Sequence, residues 1–186
     1  MVMRLEIMSA KGYARILRNT HRSIHQQFLK IHHIRSMKQV AGSLFKAFGV
    51  LTRVQRILLA AVDLEWMKEY EDICKECPPE TRRLFQTDER ECFTFRACLV
   101  NVFTEPHVDD GDVKNGWASM CPLGEFRNGH FCITEMKRRF VYNVGAISFL
   151  KSQQFEYFTL KWSGYRYCMV AAIHEAVKRE LYGKNK

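Results

Sequence analysis

The chain of 186 residues has few chain breakers, with 4 prolines and 10 glycines, and shows no repeat or low-complexity tract. With 47% hydrophobic and 12% aromatic residues it is excluded from the disordered and fibrous classes. No apolar run approaches the ~20 residues of a membrane span. The best stretch, around residues 57–62, stops at Asp63. The opening Met1-Val-Met-Arg-Leu-Glu-Ile-Met8 has no long apolar core of a secretory signal. An intracellular protein, nuclear or cytoplasmic and without a membrane partner, is therefore expected. A zinc-finger pattern is also missing. Of 7 cysteines only Cys74 and Cys77 are closely spaced, while Cys92, Cys98, Cys121, Cys132 and Cys168 are scattered. An odd number leaves at least one unpaired, and all are read as reduced core thiols.

Acidic residues are scarce in one region. Residues 1–57 hold eleven Lys/Arg against one acid, Glu6, whereas the remainder holds 18 basic and 19 acidic residues. The whole excess behind the net charge of +9 lies in that first part. Such a segment attracts a polyanion such as DNA or RNA, or it forms a solvated helix face. Four histidines there, His21, His25, His32 and His33, have no cysteine or carboxylate among them and are read as solvated or partly packed.

Apolar residues at Leu17, Ile24, Phe28 and Ile31 predict a helix over residues 13–35. Leu51, Val54, Ile57, Ala61 and Leu64 predict a second over 51–75, with Thr52 as N-cap and Pro78-Pro79 as its stop. Residues 77–91 read as a polar connection. From Glu91 the period changes to that of strands. A long β-rich run over 92–103 is followed by short strands over 117–123, 130–134, 140–142, 146–150, 155–160 and 165–173. Asp110-Gly111, Asn115-Gly116, Asn128-Gly129, Asn143-Val-Gly145 and Ser163-Gly164 separate them as turns. A short helix over 175–181 closes the chain. The expected organisation is α+β: a basic helical lobe over 1–90, a jelly roll or barrel-like double sheet over 91–175, and a C-terminal helix and tail over 176–186.

Two features in the β-rich part carry chemistry. His107-Val108-Asp109 sets an imidazole and a carboxylate two residues apart, on one face of an extended strand, where both can grip one metal ion. Arg166, within Gly164-Tyr165-Arg166-Tyr167 of a late apolar strand, offers a planar fork to a carboxylate. Asp110 and Asp112 are read as capping the turn at Gly111, and Trp117 and Trp162 as packing aromatics.

Taken in order, Asn101-Val-Phe, His107-Val-Asp-Asp-Gly-Asp-Val-Lys-Asn-Gly-Trp117, Pro122-Leu-Gly124, Asn128-Gly-His-Phe131, Gly145-Ala-Ile-Ser-Phe149 and Trp162-Ser-Gly-Tyr-Arg-Tyr-Cys168 resemble the double-stranded β-helix (cupin-like jelly roll) of iron(II)- and 2-oxoglutarate-dependent dioxygenases. The resemblance is to the TET/JBP-like group in its fungal form, and covers about the C-terminal half. It implies that His107 and Asp109 bind Fe(II), that Arg166 holds the far carboxylate of 2-oxoglutarate, and that Asn101 hydrogen-bonds the cosubstrate. It implies oxidation of methyl groups on nucleobases of DNA or RNA, with base flipping for a duplex. The sequence departs from the pattern where the second histidine ligand belongs: Tyr157, nine residues before Arg166, stands there as the third metal position. The Gly-Gly pair of the middle strand is Gly129-His130 here. His130 and His174 are the candidate replacement ligands. The alternative is a catalytically degenerate dioxygenase fold that serves as a nucleic-acid-binding or interaction module.

Overall fold

The structure, a computed structural model, describes residues 3–7, 48–86 and 89–183. The expected helix over 13–35, its histidines and the basic residues from Lys11 to Lys46 lie outside the described residues, as does the tail from Lys184.

The described chain runs β1 (Met3–Ile7), α1 (Gly49–Val62), α2 (Leu64–Glu76), α3 (Pro79–Phe85), β2 (Phe95–Val100), β3 (Ala118–Asn128), β4 (Phe131–Ile133), β5 (Arg138–Phe140), β6 (Ser148–Leu150), β7 (Tyr157–Thr159), β8 (Trp162–Ala172) and α4 (Glu175–Tyr182). Two antiparallel sheets result, one of five strands in the order β1-β2-β8-β3-β6 and one of three in the order β5-β4-β7. Helices with antiparallel sheets make an α+β fold.

The helix expected over 51–75 is two helices. Asp63 breaks it: its backbone is extended, and its side chain caps α2 by accepting from the Trp66 amide at 3.1 Å. Its other oxygen accepts from Trp117 Nε1 at 3.1 Å, which ties the break to the start of β3. Thr52 is not the N-cap. It lies inside α1, buried, with its hydroxyl donating to the Gly49 carbonyl. The connection over 77–91 contains α3, with Pro79 in the first turn where its missing N–H costs nothing. Gly164 is no turn either; it lies within β8 at φ +97, where a Cβ would collide with the Glu125 carbonyl of β3. Met3–Ile7, placed by sequence in the N-terminal lobe, is the edge strand beside β2.

Side chains of the five-stranded sheet alternate between two environments. On one face Cys98, Cys121 and Met169 pack against Phe48 and Leu51 at the start of α1. On the other, Met120, Leu150 and Cys168 meet Phe131, Ile133 and Tyr157 of the smaller sheet, with Tyr142. This second interior, between the sheets, is where the candidate residues converge. A separate cluster joins α1 and α2 to the end of β8 through Leu59, Tyr70, Ile73, Phe93 and Ile173. All 7 cysteines are buried and free. Burial pushes their thiols up, Cys77 and Cys168 to about 11.

No helix among the described residues is long and apolar enough to cross a membrane.

Candidate functional site

His107 is fastened to β7 from both sides. Its amide donates to the Tyr157 carbonyl at 3.2 Å, and the Tyr157 amide donates back at 2.9 Å. Two residues on, the Asp109 amide donates to the Ser152 carbonyl at 2.9 Å. These anchors turn both side chains towards Tyr157. The His107 and Tyr157 rings are 4.5 Å apart, and Tyr157 Oη donates to Asp109 Oδ2 at 2.6 Å. His107 Nε2 lies 3.9 Å from Asp109 Oδ1. His107 Nδ1 is 2.7 Å from the Glu105 carbonyl, an acceptor that holds a proton on Nδ1 and leaves Nε2 turned to the carboxylate. Both side chains are 35% exposed, so the pair sits at the mouth of the interior rather than in its depth.

The charges around this pair oppose one another. Loss of hydration raises the Asp109 pKa, and repulsion from Asp112 adds to it; the Tyr157 hydrogen bond, His107 and His174 pull it back. Burial, and then the neighbouring Asp109 charge, hold the Tyr157 phenol well above its ordinary value, so it stays protonated. Asp112 is buried beneath and accepts from the Ser152 hydroxyl; its Oδ1 lies 3.1 Å from His174 Nδ1. Burial disfavours a charged His174, yet the bond to Asp112 prevails and its pKa is raised. His174 is therefore committed to Asp112 and to the Gly111 carbonyl at 3.3 Å, not to the His107 side. His130 offers its carbonyl to the Leu160 amide, and no contact joins it to His107 or Asp109 among the described residues.

His107 Nε2 and the Asp109 carboxylate are suitable donors for a divalent cation. Tyr157 stands beside them, but as a neutral phenol whose proton is directed at Asp109. Among the described residues no group of three or more His, Cys, Asp or Glu is placed to hold a metal. The donor set fits iron at two positions and does not fit it at Tyr157 while that hydrogen bond stands.

Arg166 reaches the same interior from β8. Period-two alternation puts it on the face of Cys168, and it is 5% exposed. Among the described residues no carboxylate pairs with it, and its Nε has no hydrogen-bond partner. Its guanidinium carbon instead lies 5.1 Å from the Trp162 ring centroid, 5.6 Å from Phe126 and 5.7 Å from Tyr142. A line of ring contacts connects it to the other residues: Tyr142 to Phe131 at 5.3 Å, Phe131 to Tyr157 at 5.5 Å, and Tyr157 to His107.

Asn101 does not present its carbonyl oxygen to that interior. Its Oδ1 accepts from the Arg166 amide at 2.8 Å, and its own amide donates to the Arg166 carbonyl at 2.8 Å. The backbone is held at φ 50, a conformation that asparagine tolerates better than most residues. These two bonds end the β2–β8 ladder and hold the Arg166 backbone. Sequence reading missed the aromatic cage and the Ser152–Asp112–His174 support. Trp162 was within reach, four residues before Arg166 on the same strand face. Phe126 was not, because it meets Arg166 only through the register of β3 on β8.

No protein-family model matches the chain, and no curated protein matches it. Among solved structures it is similar to one described as NgTET1 in complex with 5mC DNA, with a TM-score of 0.56 at 17% identity over 69% of this chain. The match takes in 48% of that chain, so the present sequence spans about half of its length. The likeness is one of fold.

Proposed function

We propose that this protein is an Fe(II)- and 2-oxoglutarate-dependent dioxygenase-like protein that acts on modified nucleobases of DNA or RNA. The observation that carries the reading is Arg166: a guanidinium buried among aromatic faces with no carboxylate of its own, opening on the interior that His107 and Asp109 rim. A buried charge is costly unless paired, so such a site is built for an anion that arrives with the ligand. The far carboxylate of 2-oxoglutarate answers that need through two parallel hydrogen bonds. The fold shared with a protein solved in complex with 5mC DNA supports a methylated base as substrate.

In this reading His107 Nε2 and Asp109 supply two ligands to Fe(II). The metal, when bound with 2-oxoglutarate, supplies oxidation of a C–H bond by dioxygen. The chain's own residues do the rest. Arg166 binds and orients the dicarboxylate, Asn101 fixes Arg166, and the Phe131–Tyr142–Trp162 wall keeps water from the bound acid. Tyr157 occupies the third position and would ligate only after giving up its bond to Asp109.

That same bond favours a second reading, a degenerate fold that keeps the acid site and binds nucleic acid without turnover. Anaerobic titration of Fe(II) with 2-oxoglutarate, following the visible metal-to-ligand charge-transfer band, separates the two. A band at one iron per chain in the wild type supports the dioxygenase. A band that emerges only in Tyr157→His supports the degenerate fold. No band in either protein, together with no calorimetric 2-oxoglutarate binding that Arg166→Ala removes, overturns the assignment of the site.

A further inference from the structure

The outer edge of the smaller sheet faces solvent on both sides. All of β5, the preceding turn and Val141 are exposed, with Met136 at 52%, Phe140 at 41% and Val141 at 69%. The strand consists of Arg138, Arg139 and Phe140 and follows directly on Lys137. Among the described residues none of these three cations has an acidic partner; the one acid of the turn, Glu135, accepts from the Glu156 amide instead. A bland reading exists, since charged residues on an edge strand prevent sheet-to-sheet association. Edge protection requires neither the exposed Phe140 ring nor the alignment of Arg138 with Tyr157 and His107.

Register places this edge with respect to the site. Arg138 pairs with Ile133, Ile133 with Tyr157, and Tyr157 with His107. Directly opposed residues project from the same face of a sheet, so Arg138 stands in line with Tyr157 and His107. Three strand spacings separate it from His107, about 14 Å. Phe140, two residues on, lies in the adjacent row, opposite Phe131. The face that carries the His107–Tyr157 pair thus continues outward as a cation and an aromatic ring. Successive phosphates of one strand advance about 3.4 Å along a duplex axis. A nucleotide held at His107 therefore places backbone phosphates and a neighbouring base within reach of these side chains.

We infer that the β4–β5 hairpin is the nucleic-acid contact surface of this site, with Lys137 and Arg138 on backbone phosphates and Phe140 stacked on a base flanking the one that enters. Cations on the backbone and an aromatic ring on a base are what recognition of an unpaired strand uses. The inference rests on the nucleobase reading above and names how that substrate is held.

The test is fluorescence anisotropy of the full chain with short labelled oligonucleotides: single-stranded DNA, a duplex containing 5-methylcytosine, and RNA of the same sequence. Each is titrated at several salt concentrations. Lys137→Ala/Arg138→Ala should weaken binding at least tenfold and flatten the slope of log affinity against log salt by about 0.7 per phosphate contact on a single strand. Phe140→Ala should weaken single-strand binding about five- to a hundredfold with the slope unchanged. Thermal melts establish that each variant is folded, which the exposure of β5 on both faces leads one to expect. If the wild type binds and both variants bind equally well with the same slope, the hairpin inference is overturned and the nucleobase reading stands. If the wild type binds none of the three oligonucleotides at low salt, both are overturned. The arm with the largest difference between wild type and the double lysine–arginine variant identifies the strand type.

Discussion

Arg96 and Arg166 lie on opposite faces of one five-stranded sheet, both almost fully buried, and they are provided for in opposite ways. Arg96 points to the helices. Its Nη2 is bound to Glu91, which is 2% exposed, and lies 3.4 Å from the Thr52 hydroxyl of α1. Glu91 is in turn held by the amides of Cys92 and Phe93 at 3.1 and 3.3 Å. The charge of Arg96 is thus paired with a carboxylate of the protein itself. Arg166 points to the interior between the sheets and has ring faces around it but no carboxylate among the described residues. The contrast separates an arginine paired with a carboxylate of the protein from one that has none among the described residues. The separation rests on the partner, since burial is alike in the two.

The comparison can be broken by taking each charge out of its setting. The largest effect is expected at Arg96. Glu91→Ala leaves that guanidinium buried without its carboxylate and should cost about 3–5 kcal/mol in urea unfolding. A loss below about 1 kcal/mol would show that Glu91 is not what sustains Arg96. Arg166→Met should go the other way. It removes a buried charge with no protein counterion, keeps the stem's volume, and should leave stability equal or higher by roughly 1 kcal/mol while abolishing 2-oxoglutarate binding by calorimetry. A large loss of stability, or retained affinity, would make the two arginines alike after all. The smallest effect sharpens the picture at Asn101. Asn101→Ala loses a hydrogen bond and strains a left-handed backbone, for about 1–2 kcal/mol, with weakened 2-oxoglutarate affinity. Asn101→Gly relieves the strain and should recover part of the stability but not the affinity.

Both arginines read identically in the sequence, as a cation inside an apolar strand, and only Arg166 stood out, through the glycine and tyrosines around it. Glu91, five residues before Arg96, gave no sign of pairing with it, because the contact folds around the entry to β2. His107, Asp109 and Tyr157 lie side by side through a single bridge between a loop and a three-residue strand. The direction of the Tyr157 hydroxyl depends on tertiary geometry and was not legible. Helical and strand periods located most elements. The division at Asp63 was obscured because apolar spacing continues from Val62 to Leu64 across the cap. Met3–Ile7 is too short to show alternation, and Gly164 reads as a turn because a close approach of two backbones calls for the same residue as a reversal does.

The buried thiols carry a consequence for handling the protein. With a pKa of about 11, Cys77 and Cys168 are ionised to about one part in ten thousand at pH 7, whereas a cysteine in an unfolded chain, near 8.5, reaches about three parts in a hundred. Unfolding thus raises their thiolate fraction roughly three-hundredfold at the moment it exposes them. An alkylating reagent offered to the intact molecule keeps time for its openings and records very little of its surface.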